Sequence, residues 1–283
     1  QLQTAGLCGA NILLDECSVT ATENAVMAAV RAKGVTQLRN AASEPHVQEL
    51  CQFLNSLGAC ISGIGSNSLT IEGVDSLRGG EFTIGPDYLE VVSFIGAAAV
   101  TGGTVRIENA GPQYLDMISL VFRRLGVRWK TEGEDIVVGD DQSLTIVPDV
   151  GGAIPEIKTN VWPAWPTDLN SIAITVATQA AGSVLFHDWM YPSRMYFIDK
   201  LVGMGARIIL CDPHRCLVQG PDRLQAEKLE SPDIRAGMSL LLAALCADGT
   251  SVIRNIGQIE RGYERVDEKL RALGANIQRE VVQ

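Results

Sequence analysis

The chain has 283 residues, 46% hydrophobic and 20% charged, with a formal net charge of −10 at pH 7. That supplies enough apolar side chain for one large or two medium cores, and the negative balance argues against nonspecific nucleic-acid binding, which needs a basic surface. No run reaches about 18 consecutive apolar residues, and the start QLQTAGLCGA lacks the layout of a leader peptide, so a cytoplasmic protein with neither membrane nor nucleic-acid partners is expected.

In chain order, the apolar stretch ENAVMAAVRA (23–32) reads as a helix stopped by Gly34, and KGVTQLRNA as a β-branched strand. A polar loop and a second, amphipathic helix lead to LGACI (57–61), and CISGIGSNSLTIEG reads as strand, turn, strand. GGEFTIGPD (79–87) is a turn-rich join. The order then recurs: YLEVVSFIGAAAV, GGTVRIENA and LGVRW; LNSIAITVATQAA, AGSVLFHDW and MGARI; IRAGMSLLLAALCA, DGTSVIRNI and LGANI. In the last copy Tyr263, Val266, Leu270 and Leu273 share one helical face. Gly58, Gly126, Gly205 and Gly274 are 68, 79 and 69 residues apart. Two signatures in phase mark a structural repeat, a βαβαββ unit of about 70 residues.

The fourth copy stops about nine residues after Gly274, leaving its closing hairpin one strand. A single unit of this kind is not expected to bury its own hydrophobic face, and stacking about three is the usual remedy. Copies two to four therefore group as one lobe, 83–283, and copy one as the remaining part of another, 1–82. The chain begins without Met, so its natural beginning is expected to be missing, and self-association through the incomplete lobes is expected.

Right-handed βαβ connections put the strand-to-helix loops of a unit at one end, where ligands of α/β sheets bind. The first loops hold Ser18 to Glu23, Asp87, Asp168 and Asp233; the second hold Glu44, Arg194 and Arg261. A rim of helix N-termini carrying Asp and Arg suits an anionic small molecule. In GPDYLEV, WPTDLNS and SPDIRAG a Pro and an Asp stand just ahead of an apolar run, and all three aspartates can serve as helix caps. Arg194, Arg235 and Arg261 can equally be solvated or paired on an acidic surface. Seven cysteines without a CxxC pair read as reduced, small core residues, and Trp162 and Trp165 as packing ahead of Asp168. Three scattered histidines (His46, His187, His214) give no zinc pattern. No metal or cofactor is expected.

The motifs GANILLDECSVTATENAVMAA, RNAASEPHVQELCQFLNSLGACISG, GPDYLEV, PAWPTDLNS, SPDIRAG and above all IERGYERVDEKLRALGANI resemble those of the enolpyruvyl transferases, over nearly the whole chain. The resemblance implies two lobes, each of three βαβαββ units in an inside-out α/β barrel, with the active site in the cleft between them. It is nearest to the members that transfer the enolpyruvyl group of phosphoenolpyruvate to the 3-hydroxyl of UDP-N-acetylglucosamine, which implies these two small molecules as partners. It assigns Asp168 of the PTD motif as base and sugar contact, Arg261 to phosphoenolpyruvate, and Arg194, Asp233 and Arg235 to the same pocket. Ser18, Val19 and Thr20 fall at the nucleotide diphosphate, and Met190 at a backbone contact to the sugar nucleotide.

The chain departs from the family pattern at Glu16, where a Lys is usual, at Thr20 for Gly, and at Tyr88 for the Arg of a PDR turn. The family's proton-donating Cys lies in an N-terminal region that this sequence does not match. Two readings stand: an enolpyruvyl transferase, and a noncatalytic or altered-substrate paralogue that keeps the fold as a binding or assembly module.

Overall fold

The computed structural model describes residues 6–191 and 193–280. Two compact units divide the chain: one runs to Gly85 and takes in Val161–Pro163, the other comprises Pro86–Asn160 and Ala164 onward.

The first unit contains β1 (Asn11–Leu13), α1 (Val19–Ala29), β2 (Val35–Arg39), α2 (Pro45–Ser56), β3 (Cys60–Ser62) and β4 (Ser68–Glu72). Its sheet has the order β1-β2-β4-β3, with β1 parallel to β2 and the other pairs antiparallel. In β4, Leu69 and Ile71 are buried while Ser68 and Glu72 are exposed, the period of two of a half-buried strand. They join Val26, Leu38, Cys51, Leu54 and Ile61 in one core. A single repeat thus buries a core of its own, contrary to the expectation, because α1 and α2 both lie on the sheet. The outer face of α1 gains nothing from this, and Met27 stays 49% exposed.

The second unit holds the other three copies. Copy two has α3 (Tyr88–Thr101), β5 (Val105–Ile107), α4 (Asp116–Arg124), β6 (Lys130–Glu132) and β7 (Asp135–Val138). Copy three has β8 (Glu156–Lys158), α5 (Asn170–Thr178), β9 (Gly182–His187), α6 (Ile198–Gly203), β10 (Arg207–Asp212) and β11 (Arg215–Gly220). Copy four has β12 (Lys228–Glu230), α7 (Ile234–Cys246), β13 (Val252–Arg254), α8 (Gly257–Glu260) and α9 (Val266–Ala272). The sheet of copy three, β10-β11-β9-β8, repeats the strand order of the first unit with the same parallel pair, β8 with β9. Copy two has only the last three positions, β5-β7-β6, and copy four only the first two, β12-β13. In copy two, residues 79–87 form no strand, consistent with a Gly-Gly pair and a Pro framing them. Residues 275–280 form no strand either, which corrects the expected closing strand of copy four; residues 281–283 of that strand lie outside the described residues.

The four repeat glycines Gly58, Gly126, Gly205 and Gly274 all have positive φ, from 80° to 103°. Each turns the chain out of a second helix in a conformation that disfavours any side chain. The first helices end differently from the sequence reading. Only α3 is closed by a glycine, Gly102 in the left-handed region; α1, α5 and α7 end at Val30, Gln179 and Ala247, before their glycines. The last amphipathic stretch is also not one helix. Arg265 at φ 48° breaks it, so Tyr263 reaches the core from a turn, Val266 and Leu270 from α9, and Leu273 is 58% exposed.

The helices α3, α5 and α7 are apolar on nearly every side and pack on one another, the signature of helices buried all round. Every residue of α5 is buried. The hydroxyls inside this bundle are paired, as buried polar groups must be. Ser171 Oγ donates to the Arg235 carbonyl at 3.1 Å, and one turn on Thr175 Oγ1 and Ser239 Oγ lie 2.7 Å apart. Both pairs span 64 residues, so α5 and α7 run parallel and in register. At Gly96 the three helices meet closely: a Cβ there would lie 3.0 Å from both Ile172 Cγ2 and Leu242 Cδ2.

The expectation that the cysteines are core residues holds only in part. All seven are free, Cys51 and Cys216 are buried, and Cys8, Cys60 and Cys211 are exposed. No helix among the described residues is long and apolar enough to cross a membrane.

Gly96→Val places two methyl groups where a single carbon already touches α5 and α7. It is expected to lower the unfolding free energy by about 1–3 kcal/mol through overpacking, measured by chemical denaturation. An unchanged denaturation midpoint would contradict this packing.

Candidate functional site

Parallel packing in the second unit brings the N-termini of α3, α5 and α7 to one end, and the three Pro-Asp motifs lie there. Asp87 caps α3, its Oδ1 accepting from the Leu89 amide at 2.9 Å. Asp233 caps α7, with Oδ1 accepting from the amides of Arg235 and Ala236, both at 2.8 Å. These are ordinary caps, satisfying amides that the first turn leaves without partners.

Asp168 is different, and the expectation that all three aspartates cap is corrected here. A 3-10 turn, Thr167–Leu169, is inserted before α5, and neither it nor α5 has a side-chain cap. The extra turn moves Asp168 off the cap position and turns its carboxylate toward two arginines. Arg194 Nη2 donates to Asp168 Oδ1 at 2.9 Å, and Arg235 Nε stands 3.5 Å from Asp168 Oδ2. Arg194 comes from the loop after β9, with its guanidinium carbon 5.0 Å from the centroid of the Tyr191 ring. Arg235 is the second residue of α7, so this carboxylate joins copies three and four.

Arg235 is the better buried cation, with a side chain 15% exposed. Its guanidinium carbon lies 5.4 Å from the centroid of the Tyr263 ring, a cation–π arrangement. The Tyr263 hydroxyl, 2.8 Å from Ser93 Oγ, ties this pair to α3. Burial works to lower the pKa of Arg235, but Tyr263 and Asp168 beside it outweigh that and hold it above its ordinary value. Burial pushes the Tyr263 phenol up, against the pull of the Arg235 charge and the bond to Ser93. The guanidinium is thus a fixed positive charge next to a neutral phenol. Its Nη1 is buried and makes no hydrogen bond to any described residue, an open donor for an incoming oxyanion.

A pocket here is lined by Thr167, Asn170, Asp188, Arg194, Asp233 and Arg235 among others. Arg194, Asp233 and Arg235 line it and Asp168 joins them through its ion pairs with the two arginines, so four of the five residues expected to be catalytic come together. The structure sets Arg261 apart, exposed at the end of α8 with Nη1 donating to Gln258 Oε1 at 3.2 Å. The adjacent Gly262 is close to the site, since a Cβ there would meet Arg235 Nη1 at 3.4 Å. Met190 opens the Arg194 loop, its amide donating to Asp188 Oδ1 at 3.3 Å.

In the first unit, Ser18 caps α1 by accepting from the Ala21 amide at 3.3 Å. Val19 and Thr20 form the first turn of α1, with Thr20 exposed. Tyr88 is 4% exposed at the start of α3, where it packs as a core residue.

Sequence reading missed Asp188, Tyr263 as a partner of Arg235, and the hydroxyls of Thr167 and Ser93. Thr167 sits in the quoted PTD motif, and Asp188 follows a strand directly, so position alone could have raised both. Among the described residues no group of three or more His, Cys, Asp and Glu could hold a metal ion.

The sequence model of the EPSP synthase family (3-phosphoshikimate 1-carboxyvinyltransferase) matches residues 1–270. A UDP-N-acetylglucosamine 1-carboxyvinyltransferase of Treponema denticola is 54% identical over 272 residues, 96% of this chain and 64% of that protein. One of Bradyrhizobium diazoefficiens is 56% identical over 273 residues, 96% of this chain and 63% of the other. The chain thus spans a little under two thirds of the length of these curated relatives. Among solved structures, the enolpyruvyl transferase NikO from Streptomyces tendae superimposes with a TM-score of 0.82 at 26% identity, covering 93% of this chain and 60% of that one. An EPSP synthase from Acinetobacter baumannii shares the fold at a TM-score of 0.73 and 18% identity, covering 96% of this chain and 64% of that one. With a family match over nearly all of its length, and with repeats and strand orders to suit, the chain belongs to the EPSP synthase family of enolpyruvyl transferases.

Proposed function

We propose that this chain works in an enolpyruvyl transferase that moves the enolpyruvyl group of phosphoenolpyruvate to the 3-hydroxyl of UDP-N-acetylglucosamine, a step of peptidoglycan precursor synthesis. The observation that carries the reading is Asp168: of three aspartates in matching positions, it alone is withheld from capping and held between two guanidinium groups. The names of relatives 54% and 56% identical supply the acceptor.

In this reading Asp168 takes the proton of the sugar 3-hydroxyl as its oxygen bonds to C2 of phosphoenolpyruvate, while a proton is added at C3. Loss of a C3 proton from the resulting tetrahedral ketal then expels phosphate and regenerates the enol double bond on the sugar. Arg194 and Arg235 meet the carboxylate and phosphate oxygens. Guanidinium suits this work because its planar fork pairs two oxygens at once and it does not deprotonate. The Asp168–Arg194 pair screens both charges until substrate oxygens replace the carboxylate at Arg194. Arg261 joins by a movement of its exposed side chain, and Asp233 holds the α7 terminus that presents Arg235. The proton delivered to C3 is assigned to no residue of this chain. Ser18, Val19 and Thr20 serve the nucleotide diphosphate, and Met190 the sugar nucleotide. We place the reaction in the cytoplasm, and seven unpaired cysteines support a reducing compartment.

The test is phosphate release from phosphoenolpyruvate with UDP-N-acetylglucosamine, made on the polypeptide as its gene encodes it. Asp168→Asn is expected to keep its thermal unfolding profile and lose turnover by about 10²–10⁴-fold, the usual contribution of a general base. Turnover within about tenfold of wild type would refute the assignment. Tyr263→Phe removes the hydroxyl that ties Arg235 to Ser93, and is expected to raise KM for phosphoenolpyruvate about three- to tenfold, the worth of one hydrogen bond. Steady-state kinetics showing an unchanged KM would remove Tyr263 from the site.

A further inference from the structure

We propose that Asp188 is a positioning residue for this reaction, its buried carboxylate tying the loop that carries Asp168 to the loop that carries Met190 and Arg194. The inference rests on the transferase reading and adds a residue that the resemblance does not assign.

Asp188 follows β9 directly and is 0% exposed. A carboxylate is costly to bury unless a cation or several donors answer it. None of the ion pairs among the described residues includes Asp188; its partners are donors from two chain segments. Oδ2 accepts from Thr167 Oγ1 at 2.5 Å, and Oδ1 from Thr159 Oγ1 at 3.1 Å and the Met190 amide at 3.3 Å. Thr167 directly precedes Asp168, and Thr159 opens the same loop. Met190 begins the segment that reaches Arg194. The 2.9 Å contact between Asp168 and Arg194 therefore bridges two loops that share one buried anchor.

The chemistry of the anchor matters as much as its place. Carboxylate oxygens accept, so the Thr167 hydroxyl is turned to donate to Oδ2, while the Thr159 hydroxyl points between Asp188 Oδ1 and the His187 carbonyl 3.4 Å away. An amide in the same space could donate or accept and would leave that choice open. The anchor is rigidly mounted: the Asp188 amide donates to the His214 carbonyl at 2.8 Å, and His214 Nδ1 lies 2.7 Å from the Asp188 carbonyl. Trp189 Nε1 donates to the Thr159 carbonyl at 2.7 Å, a second tie between the same segments. Asp188 also lines the pocket with Arg194, Asp233 and Arg235, so slack at this anchor is felt where the substrates would meet.

The test compares Asp188→Asn, Thr167→Val, Thr167→Ser and the Asp188→Asn/Thr167→Val double variant in the polypeptide as its gene encodes it. Asp188→Asn and Thr167→Val are each expected to lower kcat by about 10- to 100-fold, the range a misplaced group costs, with KM for phosphoenolpyruvate within about threefold. Thr167→Ser, which keeps the hydroxyl, is expected to stay within about threefold of wild type, and the double variant to lose little more than either single one. Amide exchange, read without substrate, is expected to speed up about tenfold or more across residues 160–169 in Asp188→Asn while α5 and β9 are unchanged.

Unaltered exchange would overturn the proposal. So would altered exchange with kcat kept, which would leave Asp188 a purely structural residue, or losses that add in full in the double variant. If Asp188→Asn does not fold, the Thr167 pair decides alone: equal kcat for Val and Ser overturns the inference. If the wild type releases no phosphate, the transferase reading fails separately, and the exchange result still upholds or overturns the anchor.

Discussion

The parallel packing of α3, α5 and α7 is the constraint on which the site depends. Three helices apolar on almost every face cannot lie on a surface; they must bury one another, and the strands are left to the outside. Hydroxyl pairs at Ser171–Arg235 and Thr175–Ser239 fix α5 against α7. Gly96 and Leu242, each nine residues past its capping aspartate, meet where α3 joins them. Once register is set, the three N-termini have to fall together, and with them the positive ends of three helix dipoles.

That geometry explains why similar motifs do different work. At α3 and α7 the aspartate is consumed by the amides it caps. At α5 one inserted 3-10 turn moves Asp168 away from them, and the same side chain becomes the partner of Arg194 and Arg235. Tyr263 and Ser93 extend the connection to α3, so all three copies of the larger unit bear on one carboxylate. A repeat architecture thus places three equivalent residues at one end, and small departures from the repeat give them separate duties.

Much of this was legible in the sequence, because its signals are local. The glycines after each second helix, the β-branched strands and the apolar first helices follow from turn chemistry and periodicity, and the repeat phase carried them to four copies. What was not legible depends on long-range neighbours. The left-handed Arg265 that splits the last helix has no sequence signal, since arginine seldom adopts that conformation. The failure of Asp168 to cap follows from the 3-10 turn at Thr167–Leu169, whose one trace in the sequence is the Thr that separates Pro from Asp in WPTDLNS but not in GPDYLEV or SPDIRAG. Asp188 and Tyr263 looked like a strand end and a core aromatic; only their partners, 21 and 170 residues away, show them beside the site.

The central claim is that Asp168, freed from capping and oriented by two arginines, meets the reacting hydroxyl. A crystal structure of the protein with UDP-N-acetylglucosamine bound tests it most directly. The sugar 3-hydroxyl is expected within hydrogen-bond reach, about 2.6–3.2 Å, of an Asp168 carboxylate oxygen. A bound sugar whose 3-hydroxyl faces another residue, with Asp168 still closed on Arg194, would contradict it.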